Sequence, residues 1–336
     1  MVSAEVADTP SGKSLGVPQR APTPETAGAV VAPVGTTFLS ADFGDAVIQE
    51  AAAAHSGYMW ADERAGPTAA FPSAADALAA ALEVRRIWRR STTGEKEPRL
   101  AVHLDDGYSE PGGYAGPGVS RCRRLREIGC RAQTLVSAPV VSAAEAPAGA
   151  ALHNLGVHRL RDLSPAMRVY ELTDGGDRGT AASLCSLDSY PNNLPSRQTP
   201  FIGRDADLDE LRVRLAGTRL LTIVGPGGSG KTSLAAQLAA ADAGRRPDGV
   251  WWVELEDLVD GAQVAAEAAK ALGVLVDPAR GAVDSLLAQL ARKRLLLCLD
   301  NCEHLLDAAA ALTDRLHRNC PEVTVVVTSR CQLVFF

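Results

Sequence analysis

A glycine-rich octapeptide, GPGGSGKT, runs from Gly225 to Thr232 and ends in a lysine and a hydroxyl residue. Backbone N–H groups of such a turn can point inward at an anion, and the dipole of a following helix adds to the attraction. Lys231 would then reach the β and γ phosphates of a nucleotide, and the Thr232 hydroxyl would bind the bridging Mg²⁺. The predicted nucleotide contacts are Gly225, Gly227, Gly228, Ser229, Gly230, Lys231, Thr232 and Ser233.

A Mg²⁺ ion at this loop needs a second hard oxygen ligand. The apolar run RLLLCLD ends in Asp300, where a strand would stop, so we assign Asp300 to the metal, with a capping role as the alternative. Asn301 follows where many ATPases carry a carboxylate base. That leaves Glu303 as the nearest acid able to orient water, and we expect slow hydrolysis.

The last apolar run, EVTVVVTSR, ends in three polar residues, Thr328, Ser329 and Arg330. At the tip of a strand beside the loop, these side chains would reach the γ-phosphate. We therefore predict a catalytic contact from Arg330, with a solvated surface arginine as the alternative.

Short apolar runs rich in Val and Leu must position these residues. The runs are RLLTIV, GVWWVEL, RLLLCLD and EVTVVVTS, with helical stretches of about ten to fifteen residues between them. Continuously apolar strands separated by helices are typical of a parallel sheet covered on both faces. We predict an α/β P-loop NTPase domain with a parallel sheet over residues 200–336.

The order FIGRDADLDEL, GPGGSGKT, GVWWVEL, LLLCLDNCEHLL and VVVTSR resembles the nucleotide-binding module of the STAND or NB-ARC ATPases, from Pro200 to Arg330. Such modules occur in large bacterial regulators that often end in a LuxR-type helix-turn-helix. The resemblance implies ATP or ADP with Mg²⁺ as cofactors and nucleotide exchange as a switch. It also implies that Ile202, Gly203 and Arg204 lie beside the adenine and that Arg330 is the sensor arginine.

Only CQLVFF follows Arg330, where the resembling proteins continue into a lid, a winged helix and repeats. From this departure we expect a shortened switch with weaker nucleotide affinity and an exposed apolar tail. We also expect no direct DNA binding by this chain, because a helix-turn-helix is absent. A truncated gene product is the alternative.

The residues before this module also alternate between strand and helix signals. TTFLSADF, RLAVHL and AQTLVS read as strands, whereas PSAADALAAALEVRRIW and YAGPGVSRCRRLREIG read as helices. These patterns predict an α+β domain over residues 35–173. Residues 1–34 are rich in Pro, Ser and Gly and are expected to be disordered, and a similar stretch at 174–199 is expected to be a linker.

Four segments, TTFLSADFGDAV, AAFPSAADALAAAL, GGYAGPGVSRCRRLREI and LHNLGVHRLRDLSPAMRVYEL, resemble a class III nucleotidyl cyclase domain from about Gly35 to Leu172. The resemblance implies a ferredoxin-like α+β fold and a homodimer. It assigns Asp42 to the first metal site and Arg124 to the transferring phosphoryl group. The alternatives are a turn or helix cap for Asp42 and a surface charge for Arg124. The fusion resembles multidomain actinobacterial regulators.

Other parts of the cyclase pattern are missing from the sequence. Class III chemistry needs two Mg²⁺ ions held by two carboxylates, but ungapped alignment puts Ala65 at the second metal aspartate. The expected lysine, aspartate and asparagine fall at Ala61, Pro117 and Ser120. A homodimer would repeat these losses in both half-sites, so we expect no cyclase activity. A shift of two or three residues would recruit Asp62 or Glu63 instead.

The chain carries a net charge of −6 and no long Lys/Arg run, so it lacks the basic footprint of a nucleic-acid-binding surface. No apolar stretch approaches the roughly 18 residues that span a bilayer, and no secretory signal begins the chain. Its 7 cysteines are scattered and are expected to be free thiols. We expect a cytoplasmic protein without membrane contacts.

Together these patterns predict an ATP-binding signal-transduction protein, a nucleotide-dependent switch with slow ATP hydrolysis and an inactive cyclase-like domain. Two alternatives remain open. One is an adenylyl cyclase that makes cyclic AMP from ATP, and the other is a nonfunctional fragment of a transcription regulator.

Overall fold

The computed structural model describes residues 35–62, 65–91, 97–110, 112–175, 184–196 and 204–330. The segment predicted to be disordered, residues 1–34, lies outside the described residues. So do Ile202 and Gly203, which were predicted to lie beside the adenine, and the CQLVFF tail.

The N-terminal half folds around a mixed sheet. Its elements are β1 (Thr36–Ala41), α1 (Asp45–Ala54), β2 (Tyr58–Asp62), β3 (Gly66–Phe71), α2 (Ala74–Ser91), β4 (Leu100–Asp105), β5 (Tyr108–Glu110), β6 (Gly113–Ala115), α3 (Pro117–Ile128), β7 (Thr134–Ser137), α4 (Ala138–Ala143), β8 (Ala150–His158) and β9 (Met167–Asp174). Seven strands form one sheet in the order β2-β3-β1-β4-β7-β9-β8. The β1-to-β4 part, with β1 between β3 and β4 in antiparallel pairing, has the ferredoxin-like arrangement, which confirms the predicted α+β fold.

Both faces of this sheet are covered, because neighbouring residues of a strand point to opposite sides. On β1, Leu39 packs into one core with Ile48 of α1 and Leu78 of α2. Phe38 packs into the other core with Leu125 of α3. The strand is therefore buried along its whole length, and its carboxyl end is fixed where Asp42 follows.

The C-terminal half is a parallel α/β sheet. Its elements are α5 (Asp205–Gly217), β10 (Leu220–Val224), α6 (Lys231–Asp242), β11 (Val250–Glu254), α7 (Val264–Ala271), α8 (Gly281–Leu290), β12 (Leu296–Asp300), α9 (Leu306–Asn319) and β13 (Thr324–Ser329). The strand order is β10-β13-β12-β11, and every pairing in it is parallel. The predicted parallel sheet is confirmed.

Two cores flank this parallel sheet. Leu297 and Val325 pack on the side of α7, α8 and α9, whereas Cys298 and Val326 pack on the side of α5 and α6. Because parallel strands place their carboxyl ends at one edge, the ends of β10, β12 and β13 meet at the same rim.

Residues 184–196, which lie within the predicted linker, pack against both halves. The Cys185 N–H donates to the Ile128 carbonyl at 2.8 Å, and the Val250 N–H donates to the Pro191 carbonyl at 2.9 Å. The Asn193 side chain accepts from the Trp252 N–H at 2.6 Å. This segment, which we call the strap, follows the outer edge of β11. The domain boundaries themselves stay a prediction.

A side chain of α6 also reaches the N-terminal half directly. The Gln237 Nε2 donates to the Asp162 carbonyl at 2.8 Å, and Gln237 is buried. Leu163 lies in the same core as Leu238 of α6. The helix that begins at the glycine-rich loop is therefore in contact with the N-terminal domain.

Candidate nucleotide-binding site

The predicted phosphate loop joins the end of β10 to the start of α6, and most of it is exposed. Gly228 and Gly230 have φ angles of +74° and +80°, a left-handed region that side chains other than glycine adopt at a cost. No side chain caps α6 at Gly230, so the first N–H groups of the helix are available to an anion. The structure thus places the predicted residues 225–233 in one turn at the rim of the sheet.

A hydroxyl and carboxylate cluster lies beside the loop. The Thr232 Oγ1 donates to Asp300 Oδ1 at 3.0 Å, and the Thr328 hydroxyl donates to the same oxygen. Thr328 in turn accepts the Asn301 N–H at 3.0 Å. Because β13 lies between β10 and β12, Thr328 is the side chain that connects the two sides of the site.

Burial governs the charge of this carboxylate. Asp300 is 6% exposed, and burial raises its pKa above the ordinary value, while hydrogen bonds from Thr328 and Thr232 act in the opposite direction. A divalent cation beside Asp300 would favour the ionised form. Without a cation beside it, this buried carboxylate is costly to keep ionised.

The donor set at the loop fits Mg²⁺. Thr232 and Asp300 supply hydroxyl and carboxylate oxygens, the hard ligands that this ion prefers. Among the described residues, no group of three or more His, Cys, Asp and Glu is arranged to hold a metal. A magnesium ion here would complete its coordination with phosphate oxygens and water, as is usual for Mg²⁺ at nucleotides.

Two predicted catalytic side chains are bonded to each other. The Arg330 Nε lies 2.8 Å from Glu303 Oε1. With its nitrogen turned towards Glu303, the Asn301 amide donates to both carboxylate oxygens at 3.0 Å. A left-handed φ of 63° at Asn301 lets the chain turn sharply after β12 and brings Glu303 back to the rim. Glu303 therefore has two side-chain partners, Arg330 and Asn301.

Cationic side chains hold the loop from its two sides. The Arg204 Nη1 donates to the Ser229 carbonyl at 2.7 Å, and its Nε donates to Asp207 at the same distance. The Lys231 Nζ donates to the Pro226 carbonyl at 3.0 Å. Lys231 must give up this loop carbonyl to reach a phosphate, a small change for an exposed and flexible side chain.

In the N-terminal domain, the Asp42 carboxylate is bonded to Arg99. Its Oδ1 accepts the Arg99 N–H, and its Oδ2 lies 2.9 Å from the Arg99 Nε. The side chains of Asp62 and Glu63, the alternative carboxylates, lie outside what the structure describes. The metal role of Asp42 stays a prediction.

A buried arginine that sequence reasoning missed joins β1 to the β2–β3 turn. The Arg126 Nη1 donates to the Ser40 hydroxyl at 2.9 Å, to the Ala65 carbonyl at 2.7 Å and to the Ala41 carbonyl. Arg126 is 6% exposed, and burial lowers its pKa. A fixed cation thus lies between the two segments from which the resemblance would draw metal ligands. No pattern distinguishes Arg126 from its neighbours in SRCRRLRE.

Arg124, the predicted transition-state arginine, lies on α3. Its Nη1 lies 3.0 Å from Glu127 Oε2, one helical turn further along. Both side chains border a cleft between the domains. The predicted catalytic role of Arg124 stays a prediction.

Part of the chain matches a known protein family. Residues 192–334 match the family described as Novel STAND NTPase 1. The matched segment contains the phosphate loop, Asp300 and Arg330. STAND NTPases are a nucleotide-binding class, and the match begins inside the strap.

Curated relatives match parts of the chain. An uncharacterized protein of Mycobacterium tuberculosis is 43% identical over 131 residues, which are 39% of this chain and 33% of that protein. A second protein of the same species, provisionally named an HTH-type transcriptional regulator, is 48% identical over 120 residues. Those are 36% of this chain and 13% of the regulator. The chain thus spans a third or less of the length of these relatives.

Among solved structures, an adenylate/guanylate cyclase/hydrolase from Silicibacter pomeroyi is 20% identical, with a TM-score of 0.36, and covers 43% of this chain and 98% of its own. Cdc6p from Pyrobaculum aerophilum is 16% identical, with a TM-score of 0.33, and covers 41% of each chain. These TM-scores are low, so the description of the fold depends on the strand orders given above and not on these similarities. Among the described residues, no helix is long and apolar enough to cross a membrane. The chain thus joins an α+β domain to a segment, residues 192–334, that matches the STAND NTPase family.

Proposed function

We propose that this protein is a regulatory switch that binds ATP or ADP with Mg²⁺ at residues 225–233 and carries a catalytically inactive cyclase-like domain. One observation carries the proposal. The hydroxyl of Thr232, at the end of the glycine-rich loop, bonds the buried carboxylate of Asp300 at 3.0 Å across an intervening strand. This geometry suits a loop that holds phosphates and a carboxylate that holds their metal ion.

Each part of the site has a distinct task in this proposal. The backbone N–H groups of the loop bind phosphate oxygens, and Lys231 adds a positive charge at the β and γ phosphates. Thr232 and Asp300 hold Mg²⁺, which neutralises phosphate charge when bound. Arg204 contacts the loop at the Ser229 carbonyl and supports the nucleotide side of the turn.

Slow turnover follows from the partners of Glu303. A general base must be within hydrogen-bond reach of the water that it activates. Glu303 is instead bonded to Arg330 and to the Asn301 amide. With its base restrained, the site hydrolyses bound ATP slowly. The protein therefore stays in the ATP-bound state for a long time, which suits a switch better than a metabolic enzyme.

Loss of cyclase activity follows from the arginines at the end of β1. Cyclase chemistry needs two metal ions on two carboxylates. Here Asp42 is bonded to Arg99, and Arg126 places a cation between the Ala41 and Ala65 carbonyls. Cations repel each other, so a fixed guanidinium at this place disfavours metal binding.

Regulation is the second half of the proposal. The helix α6, which begins at the phosphate loop, contacts the N-terminal domain through Gln237. A conformational change at the loop can therefore be transmitted to both domains. A net charge of −6 argues against direct DNA contact by these residues. We expect output through a protein contact, and a homodimer through the cyclase-like domain is the arrangement to test.

The test is titration of fluorescent ATP and ADP, each with Mg²⁺, against the wild type and Lys231→Ala. We expect saturable binding that Lys231→Ala weakens at least tenfold. The matched control is Lys270→Ala, because Lys270 is an exposed lysine paired with Glu267 on α7. Equal binding by the wild type and Lys231→Ala would overturn the proposal.

The same samples are assayed for cyclic AMP, with Mn²⁺ as well as Mg²⁺. A second candidate function, adenylyl cyclase, is favoured by one observation. The β2–β3 turn approaches β1 so closely that a Cβ on Gly66 would lie 2.6 Å from the Ala41 carbonyl oxygen. Asp42, which follows Ala41, therefore lies beside that turn, as a shared metal site would require. Cyclic AMP production that disappears in Asp42→Ala would replace the inactive-domain proposal with this one.

A further inference from the structure

A cleft of about 190 Å³ lies between the two domains, away from the phosphate loop, and four arginines and one glutamate line it. The N-terminal domain contributes Arg99, Arg124, Glu127 and Arg161, and α5 contributes Arg212. We propose that this cleft binds phosphate or pyrophosphate as an anion that joins the two domains.

Two of the four arginines are already neutralised. The Arg99 Nε lies 2.9 Å from Asp42 Oδ2, and the Arg124 Nη1 lies 3.0 Å from Glu127 Oε2. In each pair both partners belong to the N-terminal domain. These pairs add hydrogen-bond donors to the wall and little net charge.

Arg161 is the arginine whose bonding is incomplete. Its Nη2 donates to the Cys185 carbonyl at 3.3 Å, and its guanidinium carbon lies 5.7 Å from the centroid of the Tyr190 ring. Within the part of the chain that the structure describes, its Nε is buried and has no hydrogen-bond acceptor. A buried N–H without an acceptor is costly. Because this Nε has almost no accessible surface, a ligand oxygen would remove that cost only after the guanidinium turned towards the cleft.

Arg212 provides positive charge from the opposite wall. It pairs with the Asp209 carboxylate at 3.9 Å, and both side chains are about half exposed. An exposed pair at this distance contributes little, so Arg212 can turn to a ligand at small cost. Arg161 and Arg212 thus face one cleft from two domains, and planar guanidinium groups fit phosphate oxygens in pairs.

The size of the cleft selects a small ligand. A volume of about 190 Å³ is below the roughly 300–1,000 Å³ of pockets that enclose drug-sized molecules. Phosphate or pyrophosphate fits this space, whereas a whole nucleotide would have to extend into solvent.

The experiment uses the full chain with Lys231→Ala, which weakens anion binding at the phosphate loop and leaves the cleft intact. Pyrophosphate is titrated calorimetrically without Mg²⁺ and at constant ionic strength, because screening changes with salt. We expect saturable binding that Arg212→Gln weakens at least tenfold. Arg212 is half exposed, so this variant is expected to fold, and circular dichroism verifies it.

The matched control is Arg318→Gln, since Arg318 is an exposed arginine paired with Asp314 on α9, far from the cleft in sequence. It is expected to leave the affinity unchanged. Absence of saturable binding, or equal affinity in Arg212→Gln, overturns the proposal. Titration with AMP identifies the source of the phosphate: tighter binding than pyrophosphate indicates a nucleotide, and weaker binding indicates a free inorganic anion. Because the loop lysine is absent from every sample, failure here is independent of the switch proposal.

Discussion

The guanidinium of Arg330 lies 2.8 Å from the carboxylate of Glu303, so the two side chains predicted to act on a nucleotide neutralise each other. A Cβ on Gly227 of the phosphate loop would lie 3.6 Å from the same guanidinium. Arg330 therefore lies beside the loop already. Arrival of a γ-phosphate would offer Arg330 a second anionic partner, while the Asn301 amide would still hold Glu303.

Arg330→Ala is expected to weaken ATP binding by about ten- to a hundredfold while leaving ADP binding nearly unchanged. The reason is that a hydrogen bond to a charged group is worth about 1.5–3 kcal/mol, and only ATP has the γ-phosphate that Arg330 would contact. Parallel titrations of both nucleotides measure the ratio. Arg318→Ala, an exposed arginine on α9, is the control. Equal losses for ATP and ADP would exclude a γ-phosphate contact.

Thr328→Val is expected to destabilise the fold by about 1–3 kcal/mol, because it leaves the partly buried Asn301 N–H without its acceptor and removes a donor to Asp300. It should also weaken Mg²⁺-dependent nucleotide binding. Urea unfolding and nucleotide titration measure the two effects. Thr313→Val is the matched control: Thr313 is buried, and its hydroxyl has no partner in the described part of the chain. A destabilisation by Thr313→Val as large as that by Thr328→Val would contradict the assigned role.

Asp300→Asn is expected to raise the melting temperature of the nucleotide-free protein at neutral pH and to abolish the Mg²⁺ dependence of nucleotide binding. Burial raises the folded-state pKa of Asp300, so the folded state binds the proton more tightly than the unfolded chain does. The free energy of unfolding therefore falls as pH rises through the raised pKa. Melting curves across pH measure this. The difference between variant and wild type should vanish below the unfolded value of about 3.9. A constant difference would disprove the assignment.

Arg126→Met is expected to destabilise the N-terminal domain by about 3–5 kcal/mol. The side chain is buried and bonds a hydroxyl and two carbonyls, which its removal would leave unsatisfied. Arg131→Met, at an exposed position, should change stability by less than about 0.5 kcal/mol. Chemical denaturation of both variants provides the comparison. A neutral Arg126→Met would show that the guanidinium is not a structural cation.

Much of the fold could be predicted because its signals are local. The apolar run RLLLCLD forms β12, which is buried along its whole length, whereas RLLTIV forms β10, an edge strand that is only partly buried. Apolar strands separated by helices leave a parallel sheet as the consistent arrangement. The glycine-rich turn likewise fixes its own geometry, since Gly228 and Gly230 need left-handed backbone angles. Asp300 could be found because an acid directly after a buried strand must lie at the rim of the sheet.

Other parts of the site depend on contacts between residues distant in sequence. Thr328 meets Asp300 because β13 inserts between β10 and β12, and strand order is not a local property. Arg126 looks like any charge on α3, and only the approach of the β2–β3 turn to β1 gives it carbonyls to bind.

By itself, the sequence determined a phosphate loop, a parallel α/β domain and an α+β domain before it. Tertiary structure alone decided which charged groups are paired: Glu303 with Arg330, and Asp42 with Arg99. It also decided that the strap and Gln237 connect the domains. The physical reason is the distance in sequence over which each interaction acts. Backbone geometry and hydrophobic periodicity act over a few residues, whereas burial and ion pairing depend on which distant segments the fold brings together.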